Sequence, residues 1–159
     1  MTVEELGRPG DRVGVVGDND PAWVDLYYGV PAAGRILVFL NHRLAPVELR
    51  SIAARAGVVT LIGAAAELDR LGLDVPTAAF EAWDDAIGPV PPAESLATDG
   101  SAPAWIIYTS GTTAEPKGAV LTHDAILAAV AVTAGARPAA ADDVYVFRLV
   151  SLTAQRGAR

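Results

Sequence analysis

The chain alternates between apolar runs of strand length and stretches in which apolar residues recur every third or fourth position. The run RVGVV, Arg12 to Val16, enters a Gly-Asp-Asn turn and reads as a short buried strand. Asp20 stands where a helix cap belongs, and Pro21 suits a first helical position. Trp23, Leu26, Tyr27 and Val30 then recur at helical spacing, with Gly34 as a stop. RILVFL predicts a second strand. APVELRSIAARAG predicts a second helix that opens at Pro46, carries Glu48 in its first turn and ends at Gly57. VVTLI predicts a β-branched strand, AAAELDRL a short helix, and Val75 to Phe80 a weaker strand. This order of elements is that of an α/β fold, a largely parallel sheet with flanking helices.

The pattern then breaks. Gly88 to Pro103 holds four of the eleven prolines and little periodicity, and reads as an exposed linker. AWIIY, Ala104 to Tyr108, resumes as a strand, and GAVLT, Gly118 to Thr122, as another. The polar stretch between them is thus a loop joining two strands. Thr122 is a suitable cap for a helix from His123 to about Thr133. That helix is Ala, Ile, Leu and Val on every face, which predicts deep burial. DDVYVF, Asp142 to Phe147, predicts a last strand.

Composition narrows the class. With 159 residues, 52% apolar and 19% charged, the chain can build a core and is not a disordered one. A net charge of −7 disfavours nucleic acid as a partner, while leaving room for a small anion at a local site. The lack of cysteine excludes disulfides, zinc–thiolate sites and a cysteine nucleophile. The N-terminus does not read as a signal peptide, and no apolar run reaches membrane-span length, so a cytoplasmic protein is expected. His42 and His123, the two histidines, make no metal site; His123 is expected to be structural, and His42, in the LNHRL turn, to be a surface or packing residue. Asp84 with Asp85, and Asp142 with Asp143, read as solvated positions rather than paired catalytic carboxylates.

The loop carries the chemistry. Residues 108–118, YTSGTTAEPKG, bring hydroxyls at Thr109, Ser110, Thr112 and Thr113, glycines at Gly111 and Gly118, and the single lysine, Lys117, among eleven arginines. Hydroxyl donors, backbone N–H groups exposed by glycine and one mobile cation suit a phosphate chain. Glu115 is expected to face solvent. A polar hairpin loop without a ligand would use the same turn residues. A P-loop is disfavoured: Pro116 stands at its second glycine, Gly118 at its magnesium-binding hydroxyl, and a strand follows instead of a helix.

YTSGTTAEPKGAVLTH closely resembles the phosphate-loop signature of the adenylate-forming (AMP-binding) superfamily, which includes acyl-CoA and aryl-CoA synthetases, luciferase-like enzymes and peptide-synthetase adenylation domains. Ten of the eleven signature positions match, with Ala114 in place of a glycine. RPGDRVGVVGDNDPAWVDLYYGVPAAG and LNHRLAPVEL are similar to upstream motifs of the acyl-CoA synthetase branch, so the resemblance runs from about Arg8 to Phe147. It implies a partial N-terminal domain over residues 1–147, with a phosphate loop at 109–118 and a non-matching tail at 148–159. It also implies ATP-dependent activation of a carboxylic acid to an acyl-adenylate and then to an acyl-CoA, a ligase of the fatty-acid type. ATP with Mg2+, coenzyme A and a small carboxylic acid would be its cofactor and substrates. Thr109, Ser110, Gly111, Thr112, Thr113, Lys117 and Gly118 would hold the β- and γ-phosphates, and none would act as a general base. The adenine-binding segment, the metal-binding glutamate, the catalytic lysine and most of the acyl pocket would lie beyond residue 159. Val144 to Arg159 hold no acidic residue, against 19 acids before them, which suggests a frameshift or truncation. The chain alone is then expected to be inactive, or a non-enzymatic remnant with weak triphosphate affinity. A partial sheet is also expected to leave edges and apolar faces uncovered.

Overall fold

A computed structural model describes residues 7–83, 85, 99–109 and 116–136. The described residues form β1 (Arg12–Val16), α1 (Ala22–Ala32), β2 (Ile36–Leu40), α2 (Pro46–Ala56), β3 (Val58–Gly63), α3 (Ala65–Leu71), β4 (Thr77–Ala79), β5 (Pro103–Thr109), β6 (Lys117–Thr122) and α4 (His123–Ala136), with a 3-10 turn at Phe80–Ala82. Their six strands make one sheet in the order β4-β3-β1-β2-β5-β6. Every pairing is parallel except β5 with β6, which is antiparallel. The expected largely parallel α/β sheet is therefore present.

Local chemistry explains the boundaries. The Asp20 carboxylate accepts from Ala22 N–H at 2.9 Å and caps α1. Pro46 opens α2, where the Glu48 carboxylate accepts from Ala45 N–H at 2.9 Å. Gly57 ends the helix at φ 67°, a left-handed value that disfavours a side chain. Thr122 Oγ1 accepts from Ala125 N–H at 3.2 Å at the start of α4.

The central strands are covered on both faces, which is why they read as unbroken apolar runs. The chain moves one way across the sheet from β1 to β2 and back past β1 to β3. Right-handed crossovers then place α1 and α2 on opposite faces. One face packs Val13, Val15, Leu37 and Ile62 against Leu26 and Val30 of α1. The other packs Val16, Val38, Leu40 and Leu61 against Leu49, Ile52 and Ala53 of α2. Leu26, Leu37, Leu49 and Leu61 are fully buried, each contributing about 1.5–3 kcal/mol. On the α1 face, Trp23, Tyr27, Phe39 and Trp105 form a ring cluster, with Trp23 stacked on Phe39 and Trp105 edge-on to both Tyr27 and Phe39. Burial raises the Tyr27 phenol above its ordinary pKa. Arg35, also buried, donates Nε–H to the Gly7 carbonyl at 3.0 Å, and desolvation lowers its guanidinium pKa against the opposing pull of Asp11.

One expectation fails. The all-apolar helix α4 was expected to be deeply buried, yet none of its residues is buried, and Leu127, Val130 and Val132 are 64%, 58% and 72% exposed. Burial requires a second layer as well as an apolar helix, and no described element supplies one for α4. The linker core at 88–98, the strand expected at Asp142–Phe147 and the tail at 148–159 lie outside the described residues.

Candidate phosphate-loop site

Antiparallel pairing of β5 with β6 fixes the two ends of the loop. Thr109 stands opposite Lys117, and Tyr108 opposite Gly118. Both Thr109 and Lys117 are exposed. Among the described residues Lys117 forms no ion pair. Gly118 makes a close approach: a Cβ there would lie 3.0 Å from Ile106 Cγ2 and 3.1 Å from Tyr108 Cζ, so those side chains would have to give by a few tenths of an ångström. Ser110, Gly111, Thr112, Thr113, Ala114 and Glu115 lie outside the described residues. Of the seven expected phosphate contacts, the structure thus places Thr109, Lys117 and Gly118 together on one hairpin.

The position of the hairpin matters. β5 runs parallel to β2, so the loop leaves the sheet at the carboxyl ends of the parallel strands, where open α/β sheets bind their ligands. The turns after β1 and β2 emerge at the same end. His42 connects them: its Nδ1–H donates to the Gly17 carbonyl at 2.9 Å, and its Nε2 lies 3.3 Å from an Asp18 carboxylate oxygen. Trp23 Nε1–H donates to the Asp18 carbonyl at 2.8 Å. Arg70 of α3 donates to the carbonyls of His42 at 2.8 Å and Leu44 at 3.3 Å, while paired with Glu67. This polar framework was not read from the sequence as a unit. The available signal was two polar turns, GDND and NHR, each directly following an apolar run.

His123 opens α4, and its Nε2 is buried without a hydrogen-bond partner among the described residues. Upstream of β5, Asp99 accepts from the Ser101 N–H and hydroxyl, which hold its carboxyl below the ordinary pKa. The described residues contain no group of three or more histidine, cysteine, aspartate or glutamate side chains that could hold a metal ion. None of their helices is long and apolar enough to cross a membrane.

The family model for AMP-binding enzyme matches residues 5–150. The chain belongs to the AMP-binding enzyme family. A feruloyl-CoA synthase of Amycolatopsis is 39% identical over 124 residues, covering 73% of this chain and 24% of the relative. A long-chain-fatty-acid–CoA ligase of Mycobacterium tuberculosis is 33% identical over 128 residues, covering 74% of this chain and 25% of the relative. Among solved structures, the inhibitor-bound N-terminal domain of FACL13 from Mycobacterium tuberculosis superposes with a TM-score of 0.70 at 28% identity, over 84% of this chain and 36% of that one. This AMP-binding chain thus spans about a quarter of the length of the curated relatives it matches.

Proposed function

We propose that residues 109–118 form the triphosphate-holding loop of an acid–CoA ligase. Family membership supports the reaction class, and the relatives named above act as CoA ligases. The observation that carries the reading is the hairpin that sets Thr109 opposite Lys117 at the carboxyl end of the parallel sheet. In this reading ATP is the substrate whose β- and γ-phosphates the loop holds. The Thr109, Ser110, Thr112 and Thr113 hydroxyls and the Lys117 ammonium supply donors and charge, and Gly111 and Gly118 let the backbone approach. A substrate carboxylate attacks the α-phosphorus, pyrophosphate leaves, and coenzyme A later takes the acyl group. The attacking carboxylate is already ionised, so the loop needs no general base. No role is assigned to Mg2+, because no ligand set for it stands among the described residues.

This chain by itself is proposed to bind triphosphate weakly without completing adenylation. The test uses the 159-residue chain. Calorimetric titration with ATP should give a saturable isotherm that Lys117→Ala weakens about 10- to 100-fold, the size of one charge-assisted hydrogen bond. Equal affinity of both proteins would remove Lys117 from the site. Carboxylate-dependent exchange of pyrophosphate into ATP should stay at background, and clear turnover would refute the proposed inactivity.

A further inference from the structure

The polar framework at the carboxyl end of the sheet holds one histidine between two acceptors. His42 stands in the turn between β2 and α2, and three elements fix its place. Its carbonyl accepts from Arg70 Nη2–H of α3 at 2.8 Å. Its Nδ1–H donates at 2.9 Å to the carbonyl of Gly17, in the turn between β1 and α1. Parallel pairing of β1 with β2 sets those two turns side by side. The His42 side chain is only 15% exposed, so the ring is held in position. Its Nε2 lies 3.3 Å from a carboxylate oxygen of Asp18, a side chain that is 92% exposed. The ring is thus fixed, and the carboxylate facing it is the movable partner.

A carbonyl oxygen can only accept, so Nδ1 carries hydrogen in every charge state that keeps its bond. The state of Nε2 then decides the second contact. Protonated, Nε2 donates to the Asp18 carboxylate, and the ring bridges both acceptors as an imidazolium. Neutral, it turns a lone pair toward an anion, and Asp18 gains by moving into water. The other charged groups on the elements packed here have different engagements. Glu67 pairs with Arg70, Asp20 accepts from Ala22 N–H, and Glu48 accepts from Ala45 N–H. Arg43, next to the ring in sequence, is a donor only and cannot accept from Nε2. We propose that His42 and Asp18 form a proton-operated latch between the two turns, closed while the imidazole carries both ring protons and open when it carries one. The Asp18 carbonyl accepts from Trp23 Nε1–H at 2.8 Å, and Trp23 stacks on Phe39, so the latch reaches the ring cluster on the α1 face. Histidine is the side chain that ordinarily changes charge between about pH 5 and 8. The latch therefore adds stability on the acid side of that change and loses it as the pH rises through it. It is independent of the phosphate-loop reading, so either can fail alone.

The test uses the 159-residue chain with 15N-labelled histidine rings and no nucleotide. The chain has two histidines, so in His123→Gln the remaining ring signals are those of His42. At about pH 8.5, where imidazole is ordinarily neutral, ring nitrogen shifts should show the Nδ1–H tautomer with Nε2 bare. At about pH 5.5 both nitrogens should carry hydrogen, and Asp18→Ala should shift the Nε2 resonance while leaving Nδ1 in place. Urea unfolding of His42→Ala, Asp18→Ala and the double variant then measures the latch. The two sites should couple by about 2- to 5-fold in the unfolding constant at about pH 5.5, and by nothing measurable at about pH 8.5. Three outcomes overturn the proposal: a neutral ring protonated at Nε2, an Nε2 resonance that ignores Asp18→Ala on the acid side, or coupling that is no larger at the lower pH. The ring measurements need no substitution at His42, so they decide the matter even where His42→Ala fails to fold.

Discussion

Gly63 ends β3 beside the last residue of β1, and the sheet leaves it no room for a side chain. A Cβ built there lies 2.1 Å from the Val16 carbonyl oxygen and 2.7 Å from Val16 Cγ1. The same oxygen accepts a hydrogen bond from Ala64 N–H at 3.1 Å. A carbon–oxygen contact settles at about 3.3–3.6 Å. Gly63→Ala must therefore push β1 and β3 apart by roughly 1 Å, and no rotamer change can relieve a backbone atom. Overpacking costs about 1–3 kcal/mol where side chains can move, and the strained Ala64 bond adds about 1 kcal/mol. The substitution should cost about 3 kcal/mol or more, lowering Tm by roughly 6–12 °C in a chain of this size. Gly29→Ala is the matched control. Gly29 is exposed in α1, and a Cβ there meets nothing within 4 Å. Alanine there should stabilise by about 0.5–1 kcal/mol. Urea unfolding followed by tryptophan fluorescence measures both variants. A loss below about 1 kcal/mol for Gly63→Ala, or shifts of the same sign in both, would refute the reasoning.

Other consequences are equally open to measurement. The folded state keeps Tyr27 protonated to higher pH than the unfolded chain does, so its contribution is present below pH about 10 and lost as pH rises through the raised pKa; in alkaline urea titrations Tyr27→Phe should therefore show a shallower loss of stability than wild type. Replacing His123 by Leu removes a buried nitrogen that has no partner among the described residues, and should be neutral or raise Tm, since an unmet polar group costs about 1–3 kcal/mol; a clear fall in Tm would assign that nitrogen a partner. Arg70→Met removes the bonds to the His42 and Leu44 carbonyls and should cost about 1–3 kcal/mol, with faster amide exchange confined to residues 41–45 and α3.

Most of the fold was legible because its elements announce themselves locally. Gly57, Pro46 with Glu48, and the β-branched run of β3 each carry their own chemistry. What the sequence could not supply was pairing across distance. Nothing in AWIIY states that it lies beside RILVFL, or that Trp105 will meet Tyr27 and Phe39. The burial of α4 was misjudged for a related reason: periodicity reports which faces of a helix are apolar, whereas burial depends on a second surface elsewhere. At the site, Thr109, Lys117 and Gly118 were read from residue type and order. The His42 link to Gly17 and Asp18 was missed, because it joins turns that only the parallel pairing of β1 and β2 brings together.

The glycine opposite Tyr108 also acts as an index mark for the hairpin. Side chains on a strand alternate between faces, so sliding β6 by one residue would turn every one of them over. Such a slide would bring Lys117 or Ala119 under the Tyr108 ring, where the space suits a hydrogen atom and crowds a carbon. Gly118 thereby penalises the shifted alignments and keeps Lys117 in register opposite Thr109. A residue with no side chain of its own helps to fix the alignment of the one beside it.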